Sequence, residues 1–516
     1  MRKLLITFLI LFLGGMNAQS AGFWLNDLRE IFLNNKAVIL VVNPRTMGAK
    51  DVNKNEIIDF DKKEVSGNFV NAVSRLDTIK KQGFNTLHIL PLTPVGSRKA
   101  LGTAGSLYAL NGFDSINPQL DDKTNKLSAY QEFRNFVKEC HKRKIRVIVD
   151  LPSCGSYDLY LTNPELFLLD ENQKPVIPLD WMDVRVFKTK NKDGSLNREL
   201  LDLHKKYIDM IVSLDVDGLR ADVATIKPYE FWEELITYTR QKSPNFLFLA
   251  EASNKWNEKI CKQCEFTPYD KLLEAGFDGY YGGYVDYQNF KSVKDIENDI
   301  KTLQQVSNKN KTPKAVVGSF ATHDILSPVV TGGRDYAAQL LWLSVILPVN
   351  PYYTDGFQSL DSYVYSYSNQ KAKKSFTDDD YYYVHKGKLD IFNFSRRPVG
   401  TDSEFLQEFL IAQKMRLMLE NLPLLGSFKT LQTNNPDVWA FLREYDGVKV
   451  ITIFNRSNRK QLDVTTKVPK ISAEELIFPA RVDTIPAIEK SKIISSYKPY
   501  EIQVMVWQTN KEEKKN

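Results

Sequence analysis

The chain has 516 residues, 43% hydrophobic and 26% charged, proportions that exclude disordered and collagen-like classes and suffice for one large domain plus a smaller one. Its formal net charge is +6, but the 69 basic and 63 acidic residues are interspersed. No nucleic-acid partner is expected from such a distribution.

The opening MRKLLITFLILFLGGMNAQSA sets two cations before an apolar run from Leu4 to about Leu13, followed by small residues at Ala18 and Ala21. Residues 1–20 therefore read as a signal peptide. The apolar run is shorter than the ~20 residues that span a bilayer. An exported protein, periplasmic or extracellular and with no membrane association after cleavage, is expected.

Eight short apolar runs follow, at 36–42, 84–92, 145–152, 216–224, 246–253, 277–285, 315–324 and 344–353. Amphipathic stretches separate them, such as LLDLHKKYIDMIVSL, where Leu203, Tyr207, Met210, Ile211 and Leu214 recur at helical spacing. Such alternation predicts an α/β fold, a (β/α)₈ TIM barrel over 21–423 with a short insertion after the third strand at about 154–192. No GxGxxG follows any strand, which argues against a dinucleotide-binding fold. Past the expected eighth helix, EFLQEFLIAQKMRLMLENL, the pattern turns to alternating strands, with VWAFLREYDGVKVITIFNRS a hairpin turning at Asp446 and Gly447. A C-terminal antiparallel β-sandwich domain over 424–516 is predicted.

Barrel enzymes collect their reactive groups at the carboxyl ends of the strands. Here those ends carry Asp150 on the third strand, Arg220 and Asp222 on the fourth, Glu251 on the fifth, and His323 and Asp324 on the seventh. Carboxylates crowded on one rim raise one another's pKa and cost stability, so a scaffold has no reason to gather them. Glycoside cleavage does, since it needs a carboxylate nucleophile beside a protonated carboxylic acid. Arg220, two residues from Asp222 on the same strand face, is expected to hold that carboxylate ionised. Glu251, after the apolar FLFLA, is expected to keep its proton through desolvation. His323 and Asp324 are placed to bond sugar hydroxyls and stabilise positive charge on the ring.

In order and spacing, DGLRADVA, FLFLAEAS, FATHD and GSLYALNGFDSINPQL resemble four segments of the α-amylase family, glycoside hydrolase family 13. The resemblance implies Asp222 as nucleophile, Glu251 as general acid/base, Asp324 as transition-state stabiliser, Arg220 as orienter of the nucleophile and His323 as a ligand of sugar hydroxyls. It also implies Tyr108 as the ring stacked on the reacting sugar and Asp150 as the opening aspartate of the D-x-x-x-N-H segment. The chain departs from the family at Cys154-Gly155, which stand in place of Asn-His, at Gly112, and at Ile226. No cofactor is expected to be required: calcium is a habit of the family, but its usual asparagine ligand is absent.

Trp181 in the insertion, Tyr280 and Tyr281 are candidate sugar platforms, Phe231 and Trp232 are expected in the core, and His88, His141, His204 and His385 read as ordinary. The four cysteines, Cys140, Cys154, Cys261 and Cys264, allow three disulfide connectivities, and the CKQC spacing leaves a local disulfide and a metal pair open. The expected function is that of an exported, retaining, α-glucan-active glycoside hydrolase acting on malto-oligosaccharides or related glucans. A glucanotransferase and a catalytically impaired carbohydrate-binding protein are the alternatives. The expected partner is an oligo- or polysaccharide substrate, bound by a monomer.

Overall fold

The computed structural model describes residues 26–50, 52, 64–101, 104–178, 181–362, 402–471, 475–482, 488–489 and 491–508. The expected signal peptide and His385 lie outside the described residues. No helix among the described residues is long and apolar enough to cross a membrane.

Eight parallel strands close into a barrel: Ile39–Val42, Thr86–Ile89, Arg146–Leu151, Gly218–Ala221, Leu247–Ala250, Gly279–Tyr280, Ala315–Gly318 and Asn350–Thr354. Each lies within its expected run except for Thr354 at the very end, and all are buried along their length except at Arg146. Two apolar layers result from the alternation of side chains. One fills the barrel with Ile39, Val41, Ile148, Leu247, Leu249 and Val317; the other packs the outward residues against the surrounding helices.

All eight strands are shorter than their runs, and in two the chain shows why. In the sixth, Gly282 turns the chain at φ 69° shortly after Tyr280 and a 3₁₀ segment follows. In the eighth, Ser344–Ile346 close the helix Pro328–Ile346, and the strand starts only at Asn350. A short apolar run does not distinguish a buried helix end from a buried strand.

The helices begin where the sequence supplies caps. Asn197 accepts a hydrogen bond from Leu200 N and opens Arg198–Ser213, whose Leu200, Leu201, Tyr207, Ile208 and Ile211 are buried. Ser128 and Gln131 form a capping box at the head of Ala129–Lys142; such caps contribute about 1 kcal/mol each. At the strand starts, Asp217 accepts from Val147 N at 2.7 Å and lies 2.8 Å from His141 Nε2. Asp278 pairs with Arg29 and Arg240, both at 2.8 Å. These carboxylates on the amino-terminal face have their partners and hold loops together.

The insertion forms a small antiparallel pair, Cys154–Ser156 with Val184–Val186. Phe231 and Trp232 are fully buried, as expected. After the helix Ser403–Met418 the chain enters a five-stranded antiparallel sheet and a three-stranded one, which enclose Val438, Ile451, Val464, Ile493, Met505 and Trp507. The strands Val438–Tyr445 and Val448–Asn455 form the expected hairpin. Asp446 and Gly447 both take positive φ (48° and 82°), the twist a two-residue hairpin turn requires.

Candidate active site

Barrel register assembles the site. Asp150 stands directly beside Arg220 in the pairing of the third and fourth strands, and Ala221 beside Ala250 in the pairing of the fourth and fifth. Asp222 and Glu251 therefore leave neighbouring strands one residue later, at the same height. Asp222 N donates to Leu151 O at 3.1 Å and Glu251 N to Ala221 O at 2.9 Å, which fixes both backbones.

Arg220 is fully buried and is the hub. Its Nη1 lies 3.0 Å from Asp150 and 3.2 Å from Asp222, and its Nη2 lies 2.7 Å from Glu251. Its Nε donates to the Tyr281 hydroxyl at 3.2 Å. Five N–H donors in a rigid fork make arginine suited to such sharing. One guanidinium thus holds two carboxyl groups of adjacent strands next to each other and bonds a third beneath them.

Charge is not divided evenly among the three. Burial would raise the Asp150 carboxyl, but Arg220, and after it His88, overcome this and hold it well below the usual carboxylate range. Burial pushes Asp222 up to about 6, against the pull of Arg220 and with a further push from Asp150. Arg220 acts on Asp222 in the expected direction, towards the ionised form, but the cation is shared with Asp150 and Glu251, and burial outweighs its pull. Burial likewise pushes Glu251 well above the ordinary range, with Asp222 and Asp324 adding to the shift and Arg220 opposing it. Glu251 accepts from Val223 N at 2.7 Å, a bond made possible because Val223 turns in the left-handed region at φ 33°.

Tyr108 and His323 stand over the hub. The Tyr108 hydroxyl donates to Asp150 Oδ2 at 2.7 Å and lies 2.8 Å from His323 Nε2. The two rings lie nearly parallel, 2° apart in plane, with centroids separated by 5.8 Å. Burial lowers the His323 pKa, so its imidazole is neutral at pH 7. Asp324 sits next to it at the opening, 3.6 Å from His323 Nε2 and with 45% of its side chain exposed. Asp324 is close enough to raise Asp222 and Glu251 electrostatically. Seven of the eight predicted site residues thus form one connected group. Trp181, the eighth, is half-buried and packs on a separate apolar cluster that includes Val223, Ile226, Cys154 and Cys261.

Tyr280 and Tyr281 are not platforms, since both are 1% exposed. Tyr280 packs on Tyr269, with ring centroids 5.1 Å apart, and Tyr281 lies beneath Arg220 as its acceptor. His88 is not an ordinary core histidine: its Nε2 lies 3.2 Å from Asp150 Oδ1 and its Nδ1 2.8 Å from the Tyr352 hydroxyl. Only the inward phase of the second strand could have pointed to it. Cys261 and Cys264 are joined in a disulfide, while Cys140 and Cys154 are buried free thiols.

The departure at Cys154-Gly155 has a steric consequence. A Cβ on Gly155 would lie 2.7 Å from the Phe167 ring and 2.9 Å from that of Phe187. Those rings fill the space a side chain would need. Burial pushes the Cys154 thiol up to about 12, so it stays protonated.

No family model matches the chain. It is 23% identical over 418 residues to the alpha-1,4-glucan:maltose-1-phosphate maltosyltransferase of Picrophilus torridus, covering 75% of this chain and 58% of that protein. It is 20% identical to the cyclomaltodextrinase of Thermoanaerobacter pseudethanolicus, over 77% of this chain and 64% of the other. The chain spans 29% to 58% of the length of the first maltosyltransferases it matches. Its fold is that of an alpha-amylase from Lactobacillus plantarum, with a TM-score of 0.64 at 18% identity, over 92% of this chain and 99% of that one. The chain is thus similar in sequence and in fold to members of the α-amylase family, and the four motifs that carry the resemblance converge on one barrel rim.

Proposed function

We propose that the protein is a retaining α-glucan-active enzyme, with hydrolysis of α-glucosidic linkages in malto-oligosaccharides or related glucans as its main reaction. The observation that carries this reading is the single guanidinium of Arg220 holding Asp222 at 3.2 Å and Glu251 at 2.7 Å. Two carboxyl groups on one cation stand near each other, and retention of configuration requires a separation of about 5 to 5.5 Å.

Asp222, ionised above about pH 6, attacks the anomeric carbon and forms a glycosyl ester. Glu251 is the proton donor, kept protonated by burial, and delivers its proton to the departing glycosidic oxygen. The ester makes Asp222 neutral and so removes a negative charge that had raised Glu251. Glu251, now a carboxylate, then takes a proton from the incoming hydroxyl, and that oxygen displaces Asp222. Asp324, exposed at the opening, faces the ring on which positive charge develops. Tyr108 presents its ring to the sugar while Asp150 and His323 hold its hydroxyl.

A water or a sugar hydroxyl can take the second step. The glucanotransferase reading is favoured by the maltosyltransferase relatives, the hydrolase reading by the cyclomaltodextrinase. A binding protein is disfavoured, because nothing in binding calls for a buried acid beside a second carboxylate. Calcium is not needed in this scheme. Around Cys154 the chain offers a protonated thiol, the ammonium of Lys227 and the Asp183 carboxyl, which burial pushes up to about 6; the thiol and the ammonium do not suit a hard cation that prefers oxygen ligands. The apolar opening segment and the Cys261–Cys264 disulfide support an exported protein, and a monomer is proposed.

Incubating the protein with maltoheptaose and following product sizes tests the reading. Shorter products support hydrolysis, longer ones transfer, and binding without turnover overturns the enzyme reading.

A further inference from the structure

Five residues beyond Asp222 the chain buries a lysine. Lys227 is 1% exposed, and no carboxylate lies within ion-pair distance of it among the described residues. Its Nζ donates to the Ser153 carbonyl at 2.7 Å and faces the rings of Phe187 and Trp232 at 5.7 and 6.0 Å. An ammonium so placed costs several kcal/mol unless its surroundings compensate. Aromatic faces and one carbonyl compensate only in part, and burial brings its pKa down to about 8, with Cys154 and Asp222 opposing the shift. His204, the other titratable group beside it, stays neutral because burial holds its pKa down to about 3. The position is set by the backbone: Thr267, from the loop after the fifth strand, donates to Lys227 O at 2.8 Å and to Thr225 O at 2.9 Å.

Ser153 is what Lys227 reaches, and Ser153 is what touches Asp222. The Ser153 N–H donates to Asp222 Oδ2 at 3.1 Å, and its hydroxyl bonds the Asp222 carbonyl. We propose that Lys227 is a positioning residue for Asp222: its ammonium clamps Ser153 in the loop after the third strand, and that loop in turn presents an N–H to the carboxylate. The clamp joins three strand-end loops. Arg220 steadies one oxygen of Asp222 through Oδ1, and Ser153 steadies the other through Oδ2. With both oxygens held, the carboxylate keeps one orientation towards the sugar, and misplacement of a reacting group by about 1 Å costs roughly a hundredfold in rate. Loss of the clamp removes a nearby positive charge as well as the ordered N–H, and both losses favour the protonated carboxyl.

This role rests on the reading of Asp222 as nucleophile, and the test separates the two. In protein labelled with ¹³C at aspartate carboxyls, the Asp222 resonance is assigned by its loss in Asp222→Asn and followed against pH. In Lys227→Met, checked for folding by circular dichroism, its midpoint is expected to move up by about 1 pH unit. On maltoheptaose, kcat is expected to fall roughly ten- to a hundredfold, with KM within about twofold. Lys227→Gln, neutral but able to donate to the Ser153 carbonyl, is expected to recover part of kcat. An unmoved midpoint in Lys227→Met, a change confined to KM, or a glutamine variant no better than methionine overturns the proposal. If the unsubstituted protein turns over no glucan, the functional reading fails, while the shifted midpoint still reports the clamp.

Discussion

Replacing Asp222 with asparagine separates what this carboxylate does for the reaction from what it costs the fold. Burial lifts its pKa from 3.8 to about 6, while 14% of its side chain remains exposed. The folded protein therefore binds the proton more tightly than the unfolded chain. Stability from this group is fully present below about pH 4 and is lost as pH rises through about 6. A difference of about 2 pH units at about 1.36 kcal/mol each is roughly 3 kcal/mol of destabilisation at pH 7. The asparagine side chain would imitate the neutral form and still accept from Ser153 N, while Arg220 would keep Asp150 and Glu251 as partners. Asp222→Asn is thus expected to stabilise the protein at pH 7 by about 1 to 3 kcal/mol, and to give no gain at about pH 4. Thermal unfolding of both proteins at the two pH values measures this independently of any activity. A parallel assay on maltoheptaose is expected to show a loss of roughly 10⁴-fold or more in kcat. Equal stability changes at pH 4 and pH 7 would refute the view that Asp222 is held as a strained, desolvated anion.

Three other outcomes follow from the same geometry. The acid limb of kcat/KM is expected to bend near pH 6, because Asp222 must lose its proton before it can attack; a flat profile from about pH 4 to 7 would remove it from that role. Placing a histidine at position 155 by Gly155→His is expected to destabilise the protein by about 3 kcal/mol or more, since the Phe167 and Phe187 rings occupy its place; urea unfolding gives the value. Activity is expected to survive exhaustive chelation and to gain nothing from added calcium, and a calcium-dependent rate would contradict the reading of the Cys154 and Lys227 surroundings.

Much of this protein was legible in its residues alone, for a definite reason. Strand position follows from local patterning: the eight strands were legible as short apolar runs between helical stretches, the hairpin turn as Asp446-Gly447, and the rim residues Asp150, Arg220, Asp222, Glu251, His323 and Asp324 as what stands at the strand ends. Local pattern also allowed Tyr281 to pass as a sugar platform and His88 as an ordinary histidine, because neither residue's neighbours in sequence are its neighbours in space. Tyr281 meets Arg220 across 61 positions and His88 meets Tyr352 across 264.

The raised Glu251 was foreseeable from FLFLA, but how one guanidinium is divided among three carboxyl groups belonged to the tertiary structure. That Arg220 shares the strand face of Asp222 is written in DGLRAD. That burial nonetheless lifts the Asp222 pKa to about 6, while the cation is shared with Asp150 and Glu251, depends on how little water stays at the rim and on which carboxylates the closing barrel brings to one guanidinium. Lys227 makes the same point in a single side chain. In sequence it is a plain cation five positions past Asp222, and only folding buries its ammonium against the Ser153 carbonyl, one residue away from the Asp222 carboxylate.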